Sequence, residues 1–218
     1  MHPKTLAHEI HARLSKHYGS PTWKLNHPVA ELVATILSQN TNDTNRDRGF
    51  TRLRELFPTW EEVRDAPEDE VIEAVRVAGL ANQKGPRIQN ALRQITAERG
   101  RIELDFLKDM PVAEANQWLQ NLKGVGPKTA AIVLLFSLNI PAFPVDTHIH
   151  RVTGRVGLRP PRMSADKAHD YLAEQFPEET YYPVHLNIIK LGREICKARK
   201  THCAECPLRD ICEYDDKG

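Results

Sequence analysis

Apolar residues recur along this chain every three or four positions. Leu6, Ile10 and Leu14 share one face of a first helix, and Val29, Leu32, Val33, Ile36 and Leu37 form a second stripe of the same period. Thr59 followed by Glu62 is a capping box that starts a short helix. Pro67 with Glu68, Asp69 and Glu70 suits the first turn of another, which Gly79 ends. The pattern predicts further helices over 87–97, 112–122, 127–138, 147–156, 164–176 and 183–195. No segment alternates convincingly with period two; residues 102–107 come nearest and are not assigned as a strand. Proline-bearing connectors fall near 19–28, 108–111, 141–146 and 158–163. The expectation is an all-α fold.

A chain of 218 residues makes one large domain or two modest ones, and 40% hydrophobic content makes a buried core feasible. The formal net charge is +1, so any surface that attracts nucleic acid must be local. No apolar run approaches the ~18 residues of a membrane span, and the first residues lack the apolar core of a signal peptide. A soluble, cytoplasmic protein with no membrane partner is expected. Four cysteines, Cys196, Cys203, Cys206 and Cys212, crowd into the last 23 residues. In a chain without a secretion signal, that crowding argues for a metal site over a disulfide framework. The spacing, C-x6-C-x2-C-x5-C, contains a single short pair, whereas zinc sites usually combine two such pairs or add histidines. By ligand type alone, four thiolates suit zinc or a four-iron cluster.

The stretch LKGVGPKTAAIVLLF, residues 122–136, reads as a helix end, a Gly-Val-Gly turn and a new helix with Pro127 at its first position. Gly124, Val125 and Gly126 would offer backbone N–H groups to a phosphate oxygen. The same spacing also suits an ordinary tight connection between packed helices. Lys128 stands at the positive end of the helix dipole, a poor place for an ammonium. It reads as a solvated lysine, as a phosphate contact, or as a desolvated neutral amine able to form a Schiff base. Eighteen residues on, in PVDTHIHRV, Asp146 precedes a helical pattern. It is a favoured helix cap, and a carboxylate held there is also placed to stabilise positive charge. His148 and His150 point to different faces of a helix, which disfavours a shared metal. Lys197, Arg199 and Lys200 lie between the first two cysteines, with Lys190 and Arg193 nearby. They form either a phosphate-binding loop or a solvated one.

The segments LKGVGPKTA, VDTHIHRV and CKARKTHCAECPLRDIC together resemble the endonuclease III branch of the helix-hairpin-helix DNA glycosylases, over about Leu32 to Cys212. One departure is Lys123, where relatives often carry proline. The resemblance implies two helical domains with a DNA-binding cleft between them: a six-helix barrel over 28–138, and an iron–sulfur domain formed by 1–27 and 139–218. It implies that Lys128 is the nucleophile, Asp146 its catalytic partner, and the four cysteines the ligands of a 4Fe–4S cluster. Loops matching ILSQNTND and VAGLANQK enter the duplex in that family, so Leu80 is the expected wedge, and Gln39 or Asn40 the polar plug that fills the gap. The residue types alone favour a helix stop and a half-buried loop leucine. The implied activity is that of a bifunctional glycosylase and abasic-site lyase that excises oxidised pyrimidines. Its partner would be double-stranded DNA carrying a damaged base or an abasic site, bound by a monomer. Branches acting on mispaired adenine or thymine generally lack a lysine at the hairpin, so Lys128 disfavours them. A noncatalytic DNA-structure-binding paralogue is the alternative from another class.

Overall fold

The computed structural model describes residues 1–215, and among them there are eleven α-helices and no strand. The fold is all-α. By its internal contacts the chain divides into two compact units, Leu25–Ile140 and a second made of Met1–Lys24 with the stretch from Pro141 onward.

In the Leu25–Ile140 unit, α2 (Pro28–Ser38) carries the predicted stripe, with Leu32, Ile36 and Leu37 fully buried. Each such side chain contributes about 1.5–3 kcal/mol by leaving water. It packs against α3 (Asp43–Leu56), α6 (Ala81–Arg99) and α8 (Pro127–Leu138). α8 is buried around most of its circumference, including Ala130, Val133, Leu134 and Leu135, as expected of a helix enclosed by neighbours. The Thr59–Glu62 capping box is present in full at α4 (Trp60–Asp65). α5 (Glu68–Ala74) stops earlier than Gly79, and a 3-10 turn, Arg76–Ala78, fills the interval. Pro67 caps α5 from outside it. α6 begins six residues before the predicted Arg87 and carries Pro86 internally. α7 spans Val112–Gln120. Residues 102–107 form no strand; a 3-10 turn, Asp105–Asp109, follows instead.

The second unit is built from α1 (Pro3–Tyr18), α9 (Thr147–Arg155), α10 (Ala165–Gln175) and α11 (Tyr181–Glu194). α11 packs on both α9 and α1. Phe143 stacks on Phe176 and meets Tyr181 edge-on, which anchors the connector before Asp146. The Arg13 guanidinium binds Asp210 and ties α1 to the cysteine-bearing tail.

Candidate functional site

The hairpin begins where α7 ends. Leu122 and Val125 point into the core, and Val125 N donates to Leu122 O at 3.0 Å, closing the turn. Gly124 has φ +89°, which favours glycine, and a Cβ there would lie 2.7 Å from Arg87 Cδ, so the arginine side chain packs directly over the turn. Gly126 precedes α8 with open space around its α-carbon, and no side chain caps the start of that helix. The first-turn N–H groups of α8 are therefore presented without a side-chain acceptor, the arrangement that receives anions. Lys128 is the second residue of α8, and its side chain is exposed rather than desolvated.

Two loops of the same unit join the hairpin. Gln39 Nε2 donates to Gly124 O at 3.2 Å, and Arg87 Nη1 donates to Gln39 Oε1 at 3.1 Å. Arg87 also donates to Gln83 Oε1 at 3.3 Å. Gln39 is thus held within the protein, whereas the next residue, Asn40, is exposed with φ +51°. Leu80 is 44% exposed with φ +50°. For a leucine, that left-handed conformation costs about 1–2 kcal/mol, and such strain gathers where function fixes the backbone. Nothing in the sequence singles out Arg87, because an arginine on a helix face carries no mark of its hydrogen-bond partners.

In the other unit, Asp146 caps α9. Its Oδ1 accepts from Ile149 N at 2.7 Å, and the carboxyl is half-buried. Burial lowers the His148 pKa, with Asp146 pulling the other way and Arg151 adding to the fall. Arg151 links α9 to the cysteine loop: its Nη2 donates to Gly192 O at 2.8 Å and meets His148 Nδ1 at 3.1 Å, while its Nε donates to Cys196 O at 3.0 Å. His150 Nε2 meets Met163 O at 2.9 Å, so the two histidines serve different partners.

The four cysteines are thiols of intermediate exposure. Burial pushes the Cys206 thiol up, a backbone hydrogen bond from Leu208 opposes it, and Cys196, Cys212 and Cys203 each add to the rise. Cys206 is therefore within electrostatic reach of the other three cysteines. Among the described residues, no three His, Cys, Asp or Glu side chains are grouped to hold a single metal ion. Arg155 Nη1 donates to Cys196 Sγ at 3.4 Å and to Lys197 O at 2.7 Å, and Cys212 Sγ donates to Arg155 O at 3.4 Å. Lys197, Arg199 and Lys200 are exposed on this loop.

Residues 33–178 match the family model described as "HhH-GPD superfamily base excision DNA repair protein". The chain is 35% identical over 193 residues to an endonuclease III of Sulfolobus acidocaldarius, covering 88% of this chain and 84% of that protein. It is 32% identical over 209 residues to an endonuclease III of Thermotoga maritima, covering 96% and 91%. This chain belongs to the endonuclease III family of base-excision DNA glycosylases. A putative DNA glycosylase of Arabidopsis thaliana is 35% identical over 85% of this chain, which spans 62% of that protein's length. The solved structure of a non-covalent endonuclease III–DNA complex superposes with TM-score 0.82 at 28% identity, over 97% of this chain and 96% of that one. A thermostable thymine-DNA glycosylase, TM-score 0.80 at 18% identity over 99% and 97%, shares the fold.

Proposed function

We propose that this endonuclease III family member is a bifunctional glycosylase and abasic-site lyase acting on oxidised pyrimidines in double-stranded DNA. The observation that carries the reading is the placement of Lys128. Its amine is exposed one residue into the helix that follows the Gly124–Gly126 turn, beside uncapped N–H groups suited to the DNA backbone.

The damaged nucleotide leaves the stack before its glycosidic bond can be reached. Leu80 enters the duplex as the apolar wedge. Asn40 fills the vacated position, a choice supported by its exposure and by the engagement of Gln39 with Gly124 and Arg87. Lys128, as a neutral amine, bonds to the sugar C1′ while the C1′–N bond breaks and the base departs with the bonding pair and a proton. Opening of the sugar ring gives the Schiff base. Loss of a C2′ proton then expels the 3′-phosphate and nicks the strand. Asp146, held at the start of α9 by Ile149 N, supplies negative charge against the cationic sugar. Lys197, Arg199 and Lys200 contact phosphates.

Cys196, Cys203, Cys206 and Cys212 would hold a 4Fe–4S cluster. Four cysteines of which Cys206 senses the other three, with an arginine N–H directed at the Cys196 sulfur, suit a thiolate-ligated cluster. Bound there, it would brace the basic loop and offer no open ligand position to substrate.

Borohydride trapping on a duplex bearing an abasic site or thymine glycol tests the reading. A covalent adduct with wild type and none with Lys128→Ala is expected. Firm duplex binding without adduct or base release on any lesion would make the protein a DNA-structure-binding paralogue.

A further inference from the structure

Lys84 is fully buried, on the same face of α6 as Ile88, Leu92 and Ile95. An amine without partners there would be strongly unfavourable. Its Nζ instead donates to Leu37 O at 2.7 Å and to Ala78 O at 2.7 Å. Leu37 lies in the last turn of α2, and Ala78 is the last residue of the 3-10 turn Arg76–Ala78. Carbonyls at such ends lack partners within their own helix and carry the negative end of its dipole. One side chain therefore closes both ends. Burial lowers the Lys84 pKa, and the amine still has two N–H groups for the two carbonyls in either protonation state.

Those two ends lead straight into the exposed tips. Asn40 follows Leu37 by three residues, and Leu80 follows Ala78 by two. Both tips hold positive φ without being glycine, and a strained backbone persists only where its surroundings over-determine it. The helix that carries Lys84 is itself fixed closely. At the next residue, Gly85, a Cβ would lie 2.9 Å from Ile72 Cγ1, so α6 and α5 meet there almost backbone to backbone.

We propose that Lys84 is a positioning residue that sets the spacing of the Asn40 and Leu80 tips, and so serves extrusion of the base rather than cleavage of its bond. This rests on the reading of those tips as the parts that enter the duplex. Lys84 has no exposed surface and never meets substrate.

The test compares two reactions of Lys84→Met, which keeps an unbranched apolar stem one atom shorter and removes the donors. One is excision of thymine glycol paired with adenine, which requires unstacking a base. The other is nicking at a preformed abasic site, where no base remains to be unstacked. The expected loss is about 10–100-fold on the first and under about threefold on the second. In an Asn40→Ala/Leu80→Ala background, Lys84→Met is expected to cost less than about threefold more on the paired lesion, because residues acting as one unit are non-additive. Lys84→Gln, one atom shorter to its nitrogen and still a donor, should fall between wild type and Lys84→Met. Equal losses on both substrates, or a full additional loss in the double-variant background, would overturn the proposal. So would failure of both Lys84 variants to fold by circular dichroism, since Lys84 would then be a core residue only. Equal excision by wild type and Asn40→Ala/Leu80→Ala would instead remove the reading of the tips themselves.

Discussion

Leu80 shows how one residue can work against its own fold. It is large, apolar, 44% exposed and held at φ +50°. Glycine adopts that backbone without penalty. Leu80→Gly should therefore leave stability unchanged or raise it by up to about 1 kcal/mol, read as a higher denaturation midpoint. The same variant should excise a paired lesion about tenfold more slowly or worse, while nicking a preformed abasic site nearly as well. A parallel fall in both activities would remove the wedge role. Part of this is legible in the chain, where a leucine after Gly79 stands out in a loop. Its left-handed conformation is not, because a leucine carries no mark of positive φ. The choice between Gln39 and Asn40 is equally hidden, since it depends on the Gly124 carbonyl, 85 residues further along the chain.

Elements differ in how openly the sequence announces them. α8 is found at its predicted bounds, because Pro127 opens it and apolar residues fill it. α3 has no such stripe; only Gly49 and Leu53 are buried along it, and its polar run passes for loop. The sequence pattern places the start of α6 at Arg87, beyond Gly85 and Pro86, yet the helix runs through both, with Gly85 packed closely on Ile72. Lys84 does leave a trace, as a lysine four residues before Ile88 on an otherwise apolar face. At α9 the half-buried His148 sets a pH dependence. Its pKa in the folded protein lies below the ordinary 6.5, mainly through burial, so the unfolded chain takes up the proton first. The stability from neutral His148 is present above about pH 6.5 and is lost as pH falls toward the lowered value. His148→Asn should flatten the fall in melting temperature between about pH 7.5 and 5.5, and an unchanged slope would assign it to other groups.

For the whole molecule, a net charge of +1 conceals a local concentration of cations. Lys197, Arg199 and Lys200 are exposed on one loop between two cysteines, while Arg151 and Arg155 bond that loop's backbone carbonyls from beneath. Replacing Lys197, Arg199 and Lys200 with alanine should weaken binding to damaged and undamaged duplexes alike. The slope of log affinity against log salt should become shallower by about 0.9 for each phosphate that the variant no longer neutralises. An unchanged slope would leave the loop solvated and uninvolved. Composition does not reveal this surface, because it sums charge over the whole chain. The cysteine spacing alone marks the loop as a metal candidate, and the fold places Cys206 within electrostatic reach of the other three.

One of the two compact units is split in the chain, its first 24 residues separated from the rest by the whole of Leu25–Ile140. A ribosome makes the two parts in order, at about 5–20 residues per second. α1 therefore emerges with its apolar face, Leu6, Ile10 and Leu14, and waits on the order of ten seconds for α11 to be made. The intervening unit has all of its own helices by then and can close first. Asp210, which α1 binds through Arg13, is translated after every one of the eleven helices. The cysteine loop is thus the last described element to be made, born when every helix that receives it already exists.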